Sequence, residues 1–182
     1  MSQVTPAELD AGLGHVEDAP REEGVVELVV RRPDENEREV LDEGVLDPTV
    51  GLVGDAWSRR PTATGPDGGP DPNAQLTLMN ARLAELVAGD RDKWPLAGDQ
   101  LYVDLDLSVD NLPPGSRLQV GTAVVEITAE PHMGCAKFSA RFGSDALRFI
   151  NSPTGRALRL RGVNARVVDH GSVRPGDAIR KL

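Results

Sequence analysis

The chain of 182 residues has one cysteine, few aromatic residues and little lysine. A single thiol excludes an internal disulfide and any multi-cysteine metal site. Two readings of Cys135 remain, a buried small hydrophobe or a reactive thiol. Blocks of Lys or Arg are also missing, and 29 acidic against 20 basic residues give a formal net charge of -9. That balance speaks against a nucleic-acid binder. No stretch approaches the length of a membrane-spanning helix. The N-terminus has no positive region followed by an apolar run, and a lone free cysteine suits a reducing compartment. A cytoplasmic protein with no membrane partner is expected. With lysine scarce, arginine supplies nearly all the positive charge. Arginine suits forked contacts to phosphate or carboxylate, and it equally suits a GC-rich genome or a salt-adapted surface.

The length fits one domain with a short appendage, expected at residues 1–24 ahead of a domain at 25–182. Thr5-Pro6-Ala7-Glu8 has the pattern of a helix start, and Gly12 and Gly14 predict that the helix is short. Val25–Val30 reads as a strand closed by Arg31-Arg32-Pro33, and Asp34–Arg38 as a solvated turn. Residues 51–75 are dense in Gly and Pro and read as loop. Leu76, Met79, Leu83, Leu86 and Val87 recur at helical spacing up to Gly89.

Leu101–Ser108 alternates apolar and mostly polar residues. It predicts a strand with one wet face carrying Asp104 and Asp106. Arg117–Val120 and Ala123–Thr128 flank Gly121-Thr122, a two-residue hairpin turn with glycine first. Ser144 is placed to cap a short helix through Ile150, and Val163–Val168 and Ala178-Ile179 read as closing strands. Short strands separated by turns, without regular strand–helix alternation, predict a mainly β fold: a small, mostly antiparallel β-barrel with a few short helices.

No phosphate-cradling Gly-Lys-Ser/Thr loop, dinucleotide fingerprint or serine nucleophile elbow is present. His15, His132 and His170 do not pair at metal-ligand spacing. Attention therefore falls on Pro131-His132-Met133-Gly134-Cys135-Ala136-Lys137-Phe138. Here Gly134 would keep the approach to the sulfur open, while His132, Lys137 and Arg141 would supply positive charge to a thiolate.

The order of several segments resembles the MOSC domain, the module named after the C-terminal part of molybdenum cofactor sulfurases. Gly51-Leu52-Val53-Gly54-Asp55 resembles an early Gly-x-x-Gly-Asp element, with Trp57 near the place where many members have histidine. Gln75–Met79 resembles the segment leading into the family's helix, and Leu96–Leu101 sits where many members have Gly-Glu-Asn-Leu. Leu112–Gly121 matches the family's run of Pro-Gly, strand and Gly. Cys135 falls at the family cysteine, followed by Lys137 and Arg141-Phe142-Gly143. Gly162–Val168 and Arg174–Asp177 resemble the closing strands.

The resemblance implies a β-barrel with a functional cysteine. Three functions follow from it. One is a sulfur carrier holding a persulfide on Cys135, tuned by Lys137, His132 and Arg141. Its sulfur would come from a cysteine desulfurase, and pyridoxal phosphate would belong to that partner. The second is a binder of molybdenum cofactor within an oxidoreductase, with Cys135 as metal ligand and Arg59, Arg60, Arg82, Asp55 and Arg141 as cofactor-binding residues. Arg59 and Arg60 also fit a plain polar loop, and Arg82 an exposed helix face. The third is a non-catalytic scaffold that keeps the barrel.

Overall fold

The computed structural model describes residues 3–182. Seven strands close a barrel. From β1 (Glu23–Arg31) the order runs through β11 (Ala178–Lys181), β7 (Arg117–Val120), β8 (Ala123–Ile127), β9 (Val163–Asp169), β5 (Leu76–Asn80) and β6 (Leu101–Asp104) back to β1. Every pairing is antiparallel except β5 with β6. That parallel pair is joined through α2 (Ala81–Ala88), as a parallel connection requires a crossover. β2 (Glu39–Leu41) extends the sheet from β1, and β3 (Gly44–Asp47), β4 (Gly51–Leu52) and β10 (Gly171–Val173) form a second, small sheet. The mainly β barrel expected from the strand pattern is the observed fold.

Two apolar cores share the barrel wall. Val26, Val29, Leu76, Leu78, Leu101 and Val103 face the interior with Val125, Ala165 and Ile179. Leu28, Val30, Met79 and Tyr102 belong to a second core with the helices. Each fully buried aliphatic side chain contributes roughly 1.5–3 kcal/mol. Two buried faces explain why Val25, Val26, Leu28, Val29 and Val30 of β1 do not alternate with polar residues, Glu27 alone interrupting them. They also correct the reading of Leu101–Ser108. Regular strand ends at Asp104, and Tyr102 lies fully buried with its hydroxyl donating to Trp94 O at 2.6 Å. Asp104 is not a free solvated carboxylate, because Arg82 Nε lies 2.7 Å from its Oδ1.

The helical spacing from Leu76 is likewise part strand. Residues 76–80 are all buried within β5. Asn80 then caps α2 by accepting from Arg82 N–H, and Gly89 ends the helix at φ +68. α1 (Pro6–Glu17) has the expected cap: Glu8 N–H donates to Thr5 Oγ1, and Thr5 N–H to Glu8 Oε2. It is longer than expected, since it continues through both glycines. Gly12 sits where a Cβ would lie 2.4 Å from Leu86 Cδ1, so it lets α1 approach α2, and Leu9 and Val16 join the second core. Gly121, at φ +58, turns the hairpin between β7 and β8 as expected. In α4 (Ser144–Asn151) Ser144 is the first helical residue, and Gly143 rather than Ser144 holds the cap position. Among the described residues, no helix is long and apolar enough to cross a membrane.

Candidate functional site: an arginine-walled cleft beside Cys135

Cys135 is exposed and stands immediately before α3 (Ala136–Phe142), a helix the sequence patterns did not single out. The segment ahead of it is pinned to α4 by one side chain. Gly134 N–H donates to Asn151 Oδ1 at 3.1 Å, and Asn151 Nδ2 donates to Gly134 O at 3.2 Å. A Cβ on Gly134 would lie 2.6–2.7 Å from Ile150 and Leu147. Its small size therefore serves packing against α4, not an open approach to the sulfur.

The thiol is drawn below its ordinary pKa, first by the Phe138 backbone N–H, with the Lys137 N–H adding to it and Arg161 and Arg141 contributing through their charge. Partial burial opposes the shift. Amides at the start of α3 thus favour the thiolate. Lys137 contributes its backbone, while its ammonium lies 2.9 Å from Glu35 Oε1.

Beside Cys135 lies a cleft of about 720 Å³. Arg32, Arg38, Arg59, Arg60, Arg141, Arg161 and Lys137 line it, and its acids are Asp34 and Glu35. In a chain of net charge -9, this is a concentrated positive surface. Four of the guanidiniums are fixed on four successive carbonyls: Arg38 on Pro95 O at 3.1 Å, Arg141 on Leu96 O at 2.7 Å, Arg161 on Ala97 O at 3.0 Å and Arg32 on Gly98 O at 3.0 Å. For Arg38 and Arg141, neutral carbonyls orient the group without cancelling its charge. Among the described residues, Arg38, Arg59, Arg60 and Arg141 have no carboxylate within ion-pair distance. Burial, followed by the charges of neighbouring arginines, lowers the pKa of both Arg38 and Arg60. The cleft is short of negative charge.

Asp55 and Asp99 support the wall from behind. Asp55 is buried and accepts a fork from Arg32, both contacts at 2.9 Å, together with the backbone N–H groups of Arg32 and Trp57. Burial pushes its pKa up, but the Arg32 contacts prevail and hold it below the usual range. Asp55 holds Arg32 in place and is not open to a ligand. Asp99 is fully buried, with Arg161 Nη1 at 2.6 Å and His132 Nε2 at 2.8 Å. Burial again opposes ionisation, yet Arg161 and His132 bring its pKa down to about 2. His132 is itself lowered, chiefly by burial and then by Arg161. At neutral pH it is an uncharged donor to Asp99, so it does not supply positive charge to the thiolate as expected.

Cys135, Lys137, Arg59, Arg60 and Arg141 thus meet at one cleft. Arg82 does not join them. It forks onto Asp104 and donates to His15 O, tying α1 to the barrel. Arg32, Arg38 and Arg161 complete the wall and were not singled out in the sequence. The family model of the MOSC domain matches residues 72–180, which hold Asp99, Cys135, Arg141 and Arg161. The chain belongs to the MOSC domain family.

Solved structures carry the same fold. YuaD from Bacillus subtilis superposes at a TM-score of 0.65 and 19% identity, covering 86% of this chain and 94% of that one. YiiM from Escherichia coli gives 0.55 at 18% identity, covering 87% and 69%. YiiM from Geobacillus stearothermophilus gives 0.52 at 15% identity, covering 87% and 73%. No curated protein sequence matches the chain. In this MOSC domain the Pro95–Asp99 stretch, which overlaps the Leu96–Leu101 segment, supplies the four carbonyls and the Asp99 carboxylate that hold cleft arginines. Gln100 beside it is structural, accepting from Thr77 N–H at 2.8 Å and Thr77 Oγ1 at 2.6 Å.

Proposed function

We propose that this MOSC domain is a sulfur-carrier or sulfur-transfer module, with sulfur held as a persulfide on Cys135. One observation carries the reading: an exposed thiol with a depressed pKa opens beside a cleft lined by six arginines, four of which have no carboxylate partner among the described residues. The Cys135 thiolate attacks the outer sulfur of a donor persulfide. The donor's S–S bond breaks, a new S–S bond forms at Cys135, and the donor leaves as a thiolate. The sulfane sulfur changes carrier and no oxidant is consumed. On delivery an acceptor nucleophile attacks that outer sulfur, and Cys135 departs as a thiolate favoured by the nearby Phe138 and Lys137 backbone N–H groups. A cysteine desulfurase is the donor that fits, and pyridoxal phosphate belongs to that partner.

The cleft itself favours a second reading, the binding of molybdenum cofactor. Arg38, Arg59, Arg60 and Arg141 suit its phosphate, and a soft thiolate at Cys135 suits its metal. Among the described residues no group of three His, Cys, Asp or Glu gathers around a common point, and Cys135 is the residue that would hold the metal. When bound, the group would supply redox chemistry at molybdenum, while this chain orients the phosphate and contributes the thiolate.

Intact mass after incubation with a cysteine desulfurase and cysteine tests the first reading. Addition of one sulfur atom is expected in the wild type and not in Cys135→Ser. No addition to a protein whose Cys135 alkylates readily would overturn the carrier. Stoichiometric molybdenum after expression in a cofactor-producing host would then establish the second reading.

A further inference from the structure

The loop between β1 and β2 brings its own negative charge to the cleft. Glu35 Oε1 lies 2.9 Å from Lys137 Nζ and also within the field of Arg60. Its neighbour Asn36 holds φ at +63, a left-handed conformation that asparagine tolerates, so the chain turns sharply beside Glu35. Both partners of the pair are largely exposed, at 73% for Glu35 and 62% for Lys137. Exposed pairs of this kind are weak and exchange readily. The cations around them are not satisfied by this single carboxylate. The Arg60 side chain makes no ion pair or hydrogen bond among the described residues, its backbone N–H alone donating to Trp57 O at 3.0 Å, and Arg161, although paired with Asp99, leaves its buried Nε without a hydrogen-bond partner.

We propose that Glu35 is a built-in stand-in for the ligand's anion: its carboxylate occupies the Lys137 position at the cleft, and an incoming phosphate or carboxylate group displaces it. Lys137 is then a specificity-determining residue, released from Glu35 to the ligand, and Cys135 meets anionic partners in preference to neutral ones. The inference rests on Cys135 and its cleft being the working site, but its test does not use sulfur transfer. A protein that takes up no persulfide would still give the alkylation result below.

The test compares alkylation of Cys135 by iodoacetate, an anion, and iodoacetamide, its neutral counterpart. Removing one charge near the thiol changes the rate of the charged reagent alone. Glu35→Gln is expected to raise the iodoacetate-to-iodoacetamide rate ratio by about threefold. Lys137→Gln lowers it by a similar factor, about 0.5 M salt removes both effects, and Asp10→Asn on α1 leaves the ratio unchanged. Inorganic phosphate and acetate, added as competitors against iodoacetate, tell a phosphate site from a carboxylate site by which protects better in Glu35→Gln. An unchanged ratio in Glu35→Gln would overturn the proposal. So would equal acceleration of both reagents, which would mark Glu35 as a steric cover, or an absence of protection by either competitor.

Discussion

Arg161 Nη1 lies 2.6 Å from Asp99 Oδ2, and the same guanidinium reaches Ala97 O through Nη2 at 3.0 Å. Both side chains are buried, so the Arg161 charge at the cleft depends on the carboxylate behind it. His132 completes the arrangement from the Cys135 segment.

Replacing Asp99 by Asn should therefore be costly. A buried guanidinium left without its counter-charge loses about 3–5 kcal/mol. Urea unfolding at pH 7 measures this, and a loss below about 1 kcal/mol would refute the account. The pH dependence has a definite sign. The folded pKa of Asp99 is depressed to about 2 from 3.8, so its contribution is present above the unfolded pKa and is lost as pH falls towards 2. The stability gap between wild type and Asp99→Asn should narrow across that interval.

The rate of Cys135 alkylation by iodoacetamide against pH should have its midpoint below that of a free thiol, about 8.5. Arg141→Gln should move the midpoint upward, because a cation that favours the thiolate is removed. The shift should be only part of the depression, since the Phe138 amide contributes most and remains. Arg82→Ala should leave the midpoint where it is, because Arg82 pairs with Asp104 away from the cleft. A midpoint that moves as far in Arg82→Ala as in Arg141→Gln would contradict this assignment.

Gly162 follows Arg161 with φ +112, and a Cβ there would lie 2.2 Å from Leu78 O and 3.3 Å from His132 Cδ2. Backbone cannot yield as a flexible side chain can. Gly162→Ala should cost about 2–4 kcal/mol through left-handed strain and the clash with β5. Thermal and urea unfolding both report it, and near-wild-type stability would mean that this turn relaxes easily.

Much of the fold was legible because its signals are local. The capping box at Thr5, the Gly121-Thr122 turn and the spacing of Val163, Ala165 and Val167 each act over a few residues. The misreadings came where two cores meet. β5 is buried on both faces, which removes alternation and lets Leu76, Met79 and Leu83 mimic a helix. The same cause hid the true surroundings of Tyr102. At the site, the lone thiol pointed to Cys135, and resemblance pointed to Arg59, Arg60 and Arg141. Arg32, Arg38 and Arg161 gave no comparable signal. Their shared partners are carbonyls of residues 95–98, more than 40 positions away in each case, and every residue has a carbonyl.

The row of four carbonyls from Pro95 to Gly98 makes the cleft indifferent to one kind of change and sensitive to another. Leu96 is partly exposed and uses only its backbone here, so its side chain can vary without loss of a contact to Arg141. Loss or gain of a single residue in this stretch is different. It would shift every acceptor by one place and put four arginines out of register together, so the spacing of the chain, more than the identity of its side chains, preserves the charge beside Cys135.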